Sequence, residues 1–338
     1  VTVHDGTVVL GIETSCDETA AAVVMGGTDV LSSVVSSQVD EHARFGGVVP
    51  EVASRAHLES IMPVVREALE RAGTGFERVD AIAATAGPGL VGALLVGLTA
   101  GKSIAMALGR PFVPVNHLEA HLYASLLEEP DLGLPMLVLL VSGGNTLLVH
   151  VRDHGDYSVV GQTIDDAAGE AFDKVARFLE LGQPGGPAID RLSGSGNPAA
   201  IPFPRGMLHD GLDFSFSGLK TAVVNHVRAN PEVATSDVAA SFQEAVVDVL
   251  VAKTERAAGE LDLTTVAIGG GVAANSRLRE RLTEVAARRG WRLALPSRAM
   301  CTDNAAMIAA AGWHRLRLAG PGDLSVGARP NLRLGEQP

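Results

Sequence analysis

Short apolar runs separated by polar turns dominate the first third of the chain. Thr7 to Glu13, Thr19 to Met25 and Val30 to Gln38 read as three successive strands. Pro50 to Arg71 has helical periodicity, Val79 to Thr85 reads as a strand, and Leu90 to Leu108 as a buried helix. Phe112 to Val115 predicts a fifth strand, running directly into a helix that begins at His117. The second half repeats this order. Met136 to Val141, Thr146 to Val151 and Tyr157 to Gly161 read as strands; Ala167 to Leu179, Gly218 to Arg228 and Val233 to Glu260 read as helices. Strand Thr265 to Ile268, helix Asn275 to Arg289, strand Arg292 to Leu295 and helix Asn304 to Leu318 follow. Each half is therefore three strands, then helix, strand, helix, strand, helix, with longer helical insertions in the second. The turns repeat as well. Glu13-Thr-Ser-Cys-Asp-Glu18 and Ser142-Gly-Gly-Asn145 close the first hairpins, and Ala86-Gly-Pro-Gly-Leu90 and Gly269-Gly-Gly-Val-Ala-Ala-Asn275 follow the fourth strands.

A duplicated βββαβαβα unit is the layout of the actin and hexokinase superfold: an α/β chain of two lobes with a ligand and metal cleft between them. Residues 1–116 predict the N-terminal lobe, with part of 304–338 packing back on it, and 117–303 the C-terminal lobe. No G-x-x-x-x-G-K-[ST] sequence occurs, which argues against a P-loop NTPase. Gly87-Pro-Gly89-Leu-Val-Gly92 meets the dinucleotide-binding spacing, but with a proline inside the loop and no acid at the expected later strand end.

Composition narrows the class. Hydrophobic residues make up 46% of the chain and aromatics only 4%, so the core is built from Val, Leu, Ile and Ala. A formal net charge of −12 disfavours tight, unaided binding of nucleic acid, although a local basic patch or a basic partner can recruit a polyanion. Two distant cysteines, Cys16 and Cys301, form no disulfide framework and suit a reducing compartment. The start of the chain lacks a cationic-then-apolar leader pattern, and the longest apolar stretch, Gly92 to Leu108, carries Lys102 and is short for a membrane span. These features predict a cytoplasmic protein with no membrane association.

The candidate chemistry centres on His117-Leu-Glu-Ala-His121. Histidines four apart on a helix stand on one face, one turn apart, and can share one metal ion. The alternative is two polar residues on a partly exposed helix. Asp303, in Cys301-Thr-Asp-Asn304 ahead of a helix, is the chosen third ligand; it equally suits a helix N-cap. A His/His/Asp set with open positions suits Fe²⁺ or Zn²⁺. A zinc peptidase would need H-E-x-x-H. Here Glu119 is one position too late, about 200° around the helix from His117.

Other segments offer binding chemistry beside a bland reading. Glu13 to Thr19 crowds oxygen and thiol side chains on one turn, able to accept phosphates through backbone N–H groups and to position Mg²⁺ or water through carboxylates, or to be a solvated hairpin tip. Ser142-Gly143-Gly144-Asn145 lets a ligand approach the backbone, or is an ordinary hairpin. Gly269-Gly270-Gly271 before a helix makes an anion site, with Asn275 beside it, or serves tight strand–helix packing. Asp173 is the ligand-facing acid of the Asp165–Lys174 segment, and Gln183-Pro-Gly-Gly186-Pro-Ala-Ile-Asp190 is a rigid turn leading to an acid placed for ribose hydroxyls. Phe214-Ser-Phe-Ser217-Gly-Leu-Lys220 either contacts a nucleic acid or caps its helix.

Together these segments resemble one family, the bacterial tRNA adenosine threonylcarbamoyltransferases, universal proteins once described as O-sialoglycoprotein endopeptidases. The resemblance runs from about Val9 to about Ser325. Its carriers are Gly11 to Thr19, Gly46-Gly-Val-Val-Pro-Glu51, Ala86 to Leu94, His117 to His121, Leu140 to Gly144, Ile164 to Lys174, Asp213 to Lys220 and Gly269 to Asn275. It implies transfer of threonylcarbamoyl from threonylcarbamoyl-AMP to N6 of the adenosine 3′ of the anticodon, in tRNAs reading codons that begin with A, with release of AMP. It implies one divalent metal on His117, His121 and Asp303, Fe²⁺ favoured and Zn²⁺ the alternative. It implies an adenylate held by Leu140, Val141, Ser142, Gly143, Gly144, Asn145, Asp173, Gly186, Asp190 and Asn275. Asp17 and Glu18 match the family's acidic hairpin facing the reactive end and are the candidate catalytic acids. The implied protein partners are an inactive paralogue that forms a heterodimer and a small ATPase.

Two positions depart from the pattern. The residue before the first metal histidine is often His in the family and is Asn116 here; the usual Ser-Gly-Gly-His turn ends in Asn145. The reaction suits the parts. The electrophile is a carbamoyl carbon with an adenylate leaving group, a metal is a Lewis acid, and glycine-turn N–H groups stabilise developing charge. The amine nucleophile is weak, so positioning matters more than deprotonation. A sugar- or acid-kinase-like ATPase of the same superfold would leave the His/His/Asp set superfluous, and a non-catalytic scaffold would not be expected to retain it.

Overall fold

The computed structural model describes residues 2–338. The chain divides into two compact units, each with its own five-stranded sheet. The first takes residues up to Asp131, the hairpin tip His154–Asp156 and Asp303–Pro338; the second takes Leu132–Asp153 and Tyr157–Thr302.

In the first unit, β1 (Val8–Glu13), β2 (Glu18–Met25) and β3 (Asp29–Ser37) precede α1 (Val39–Ala43) and α2 (Pro50–Arg71). Then come β4 (Ala81–Gly87), α3 (Val91–Leu108), β5 (Phe112–Asn116) and α4 (His117–Glu128). The sheet order is β3-β2-β1-β4-β5. β1 pairs antiparallel with β2 and parallel with β4, and β4 pairs parallel with β5.

The second unit holds β6 (Met136–Val141), β7 (Thr146–Asp153), β8 (Asp156–Gln162), α5 (Ala168–Phe178), α6 (Gly185–Ser193), α7 (Ser217–Ala229) and α8 (Thr235–Glu260). β9 (Thr265–Gly269), α9 (Ser276–Arg289), β10 (Arg292–Ala294) and α10 (Arg298–Cys301) complete it. Its sheet order, β10-β9-β6-β7-β8, is the first sheet's order read from the other edge. The duplication expected from element order is therefore present in the strand connections. α11 (Ala305–Ala319) belongs to the first unit.

The division falls after Asp131, not after Asn116 as the sequence suggested. The cause is α4, buried from Leu118 to Leu127, which packs on α11 and β5 and so stays with the first unit.

Period-two alternation along β1 and β4 sorts residues between the two faces of the first sheet. Leu10, Ile12, Ile82 and Ala84 join a core with Ile61, Val65 and Leu69 of α2 and Leu98 and Ala105 of α3. Gly11 and Ala83 face α11. A Cβ on Gly11 would meet the Ala305 carbonyl oxygen and stand 2.7 Å from Ala309 N. Glu13 and Thr85 continue that row, which carries both polar side chains to the α11 face. α3 is the one helix among the described residues long and apolar enough to cross a membrane by length and composition; it packs on β4 and α2.

Candidate functional site

In the first unit, β5 ends at Asn116, which caps α4: its side-chain oxygen accepts from Leu118 N at 2.9 Å and Glu119 N at 3.4 Å. The cap sets the first turn of α4, and His117 and His121 follow on one face with their ring centroids 4.7 Å apart. Asp303 arrives from the start of α11, where the N-cap is Asn304, accepting from Met307 N at 3.1 Å. The capping role thus falls to Asn304 and leaves the Asp303 carboxylate for the histidines. Its Oδ1 lies 3.4 Å from His117 Nε2 and 3.2 Å from His121 Nε2.

These residues fit a divalent cation. Two ligands each about 2.1 Å from a metal stand no more than ~4.2 Å apart; both His–Asp separations fall inside that limit, and the three ligand atoms lie within 4.8 Å of one another. His121 is 1% exposed, yet neither ring nitrogen makes a hydrogen bond, despite the short Nε2–Asp303 distance. A buried imidazole without hydrogen bonds is costly, and a cation bound at Nε2 would satisfy that nitrogen.

Behind His117 stands Glu13, which the sequence places in the oxygen-rich turn without a role of its own. The Glu13 Oε2 lies 2.8 Å from His117 Nδ1 and accepts from Thr85 Oγ1 at 2.7 Å, and its Oε1 accepts from Ser15 N. A carboxylate on Nδ1 fixes the tautomer that directs the Nε2 lone pair outward. The sequence shows only an acid at the end of a buried strand; that it faces His117 follows from strand pairing and packing.

Electrostatics agree. Burial alone would lower the His117 pKa, but Asp303 and Glu13 outweigh it and hold it well above the usual histidine range. Burial would raise Asp303, and the two histidines reverse this and hold it far below the carboxylate range. Glu13 is lowered in the same way, chiefly by His117 against the effect of burial. The cluster is built to hold positive charge. Glu119 takes no part: it pairs with Arg315 at 2.8 Å, as its angle on the helix required.

The β1–β2 turn carries the two candidate catalytic acids. Burial, reinforced by Asp303 and Asp17, pushes Glu18 up to about 9, so it holds its proton at neutral pH. Asp17 remains the candidate proton acceptor. Burial, with the turn's acids, also raises the Cys16 thiol, which removes it as a nucleophile.

In the second unit, Leu140 and Val141 are fully buried in β6, backbone included. In the turn that follows, Ser142 N donates to Asn145 O at 2.8 Å and Asn145 N to Ser142 Oγ at 3.2 Å; Gly143 and Gly144 have open space where a Cβ would be. Gly169 N of α5 donates to Ser142 O at 3.2 Å, and one helical turn later Asp173 Oδ1 accepts from Gly185 N at 2.8 Å. Gly186 is open. Asp190 accepts from Ser276 Oγ at 2.7 Å, next to Asn275, whose Nδ2 donates to Gln243 Oε1 at 2.7 Å. Ser142 to Asn145, Asp173 and Gly186 thus adjoin through α5, and Asp190 and Asn275 adjoin at the start of α9.

Other expectations change. Gly270, at φ +85°, is pressed against the Val141 carbonyl and serves close packing; a short 3₁₀ turn follows it before α9. Phe214 and Phe216 are buried in the core, while Ser215 and Ser217 donate to Asp165. The two aromatics of that segment are therefore core residues, with no face open to a nucleic acid. Gln183 to Asp190, read as a rigid turn, enters the helix α6 at Gly185.

Residues 29–310 match the sequence profile of the family described as tRNA N6-adenosine threonylcarbamoyltransferase. The chain belongs to that family. The threonylcarbamoyltransferase of Clostridium perfringens is 53% identical over 338 residues, covering 98% of this chain and 100% of the relative. That of Symbiobacterium thermophilum is 54% identical over 330 residues, covering 97% of each. Among solved structures, full-length HypF in its phosphate- and nucleotide-bound form superposes with a TM-score of 0.64 at 13% identity, over 95% of this chain and 48% of that one. The Acidaminococcus fermentans (R)-2-hydroxyglutaryl-CoA dehydratase component A gives 0.56 at 16% identity, over 91% and 98%. These two likenesses show the fold alone, which is of the actin and hexokinase type. The sequence resemblance and the family match thus agree along most of the threonylcarbamoyltransferase chain.

Proposed function

We propose that this chain transfers threonylcarbamoyl from threonylcarbamoyl-AMP to N6 of the adenosine 3′ of the anticodon in tRNAs reading codons that begin with A, releasing AMP. The observation that carries the reading is the convergence of His117, His121 and Asp303 around a buried His121 without hydrogen bonds, in a chain 53% identical to a threonylcarbamoyltransferase along its length.

The residues divide the work. The open Gly143, Gly144 and Gly186 admit the adenylate to the backbone, with Asp173 and Asp190 at its rim and Asn275 beside them. His117, His121 and Asp303 hold one divalent metal, Fe²⁺ favoured. Bound there, the cation supplies Lewis acidity. Glu13 orients His117. Asp17 accepts the proton that the amine loses after attack. A paralogue and a small ATPase are the proposed protein partners, and the cytoplasm the proposed compartment.

Purified protein incubated with threonylcarbamoyl-AMP and unmodified tRNA should yield N6-threonylcarbamoyladenosine and AMP in equal amounts. Absence of the modified nucleoside, with the partner proteins also supplied, defeats the proposal. Elemental analysis of protein purified without added metal should find about one metal ion per chain, lost in His121→Ala.

A further inference from the structure

The turn that carries Asp17 and Glu18 is held by its backbone. Three consecutive carbonyls are each gripped by a different part of the first unit. Ser15 O accepts from Leu90 N at 2.8 Å, Cys16 O from His57 Nε2 at 3.0 Å, and Asp17 O from Gln38 N at 2.9 Å. Two of the donors are backbone amides. Only the middle one is a side chain, from α2.

His57 is fully buried, and its surroundings dictate its tautomer. A carbonyl only accepts, so Nε2 carries the proton. Nδ1 is then the acceptor, and Thr19 Oγ1 at 2.8 Å and Gln38 Nε2 at 3.3 Å donate to it. Gln38 is oriented in turn by His42, whose Nε2 lies 3.1 Å from Gln38 Oε1. His42 Nδ1 accepts from Val49 N at 3.4 Å, which leaves Nε2 as its donor. The chain of donors runs one way: Val49 N–H to His42, His42 to Gln38, Gln38 to His57, His57 to the Cys16 carbonyl. Burial outweighs the Cys16 carbonyl and the nearby carboxylates, lowers the His57 pKa and keeps the ring neutral, the state this chain requires.

We propose that His57 is the positioning residue of the acidic turn: its Nε2–H holds the Cys16 carbonyl and so sets where Asp17 and Glu18 stand. The inference rests on the reading that this turn serves threonylcarbamoyl transfer, and it assigns that turn's geometry to a side chain outside the reacting groups.

Substitution by leucine removes the donor at similar volume, whereas glutamine can present an N–H near the position of Nε2. His57→Leu should lower kcat by about 10- to 100-fold, the loss expected from misplacing a reacting group, with KM for the adenylate and the bound metal unchanged. His57→Gln should recover most of that loss. Amide hydrogen exchange over residues 15–18 should speed up in His57→Leu and return toward wild type in His57→Gln. Wild-type kcat in His57→Leu, or a glutamine variant as impaired as the leucine one, overturns the proposal. Unchanged exchange over 15–18 in His57→Leu also overturns it, whether or not any variant modifies tRNA. Failure of the proposed reaction shows separately, as a wild type that forms no product. Should His57→Leu fail to fold, the isosteric Thr19→Val, which removes the hydroxyl donor to Nδ1, must give a smaller loss of kcat and faster exchange. Wild-type values for both refute the role.

Discussion

Glu13 sits where a buried strand ends, and its carboxylate meets His117 Nδ1 at 2.8 Å. Removing its charge while keeping its shape tests whether it tunes the ligand. Glu13→Gln should weaken divalent-metal affinity by about 10- to 100-fold, the usual effect of losing such a partner, as read by titrating metal into metal-free protein. Unchanged affinity would show that Glu13 only fills space. Glu18 makes the opposite case. Its pKa of about 9 leaves it neutral at pH 7, so Glu18→Gln should turn over at pH 7 like the wild type, while Asp17→Asn should not. Equal losses in both variants would refute the distinction. The sign for stability follows by linkage. With a folded pKa of about 9 against an ordinary 4.5, the benefit of the neutral carboxyl is full below pH 4.5 and lost as pH rises through 9. The wild-type unfolding free energy from urea titration should therefore fall between pH 5 and 9 more than that of Glu18→Gln, by no more than about 1.4 kcal/mol per pH unit for one proton.

Elements with a long apolar period were legible in the sequence, and short ones were not. Pro50 to Arg71 is α2 to the residue, and Met136 to Val141 is β6. α1, α6 and α10 were missed, because four to nine residues hold too little period to read. α6 also opens on Gly-Gly-Pro, which resembles a turn, although proline is tolerated in a first helical turn where no N–H is needed. Site residues followed the same rule. The His117/His121 spacing was visible as a local pattern. Glu13, Thr85 and His57 were not, since their roles come from strand pairing and helix packing between distant segments. Gly11 shows how the elements hold the site. Its lack of a side chain lets β1 lie against the first turns of α11, two residues beyond Asp303. Gly11→Ala should cost about 1–3 kcal/mol by overpacking. Because it pushes α11 from the sheet, it should also weaken metal binding, while Gly133→Ala, with open space at its Cβ, should do neither. A Gly11→Ala protein with wild-type midpoint and metal affinity would break this link.

At the scale of the whole molecule, duplicated element order carried the topology, and charge carries a consequence for the substrate. The chain has a formal net charge of −12 and, as the reading proposes, must meet a polyanion. Its densest arginine group offers little net attraction: Arg277, Arg281, Arg205, Arg288 and Arg289 pair with Glu244, Asp248 and Glu255 across α8, α9 and the loop before α7. tRNA must therefore be engaged through a few local cations, here or on a partner, against a repulsive body. Each cation that contacts a phosphate releases counterions, so the logarithm of affinity should fall with the logarithm of salt by roughly 0.7 to 0.9 per contact. Long-range repulsion acts only within a Debye length of about 8–10 Å near 0.1–0.15 M salt and offsets little of that loss. Initial rates at subsaturating tRNA should thus drop steeply between roughly 50 and 200 mM salt, while rates at saturating tRNA hold. A flat response at subsaturating tRNA would mean that phosphate contacts do not drive this encounter. Recognition would then have to rest on base and shape contacts that an acidic surface can make.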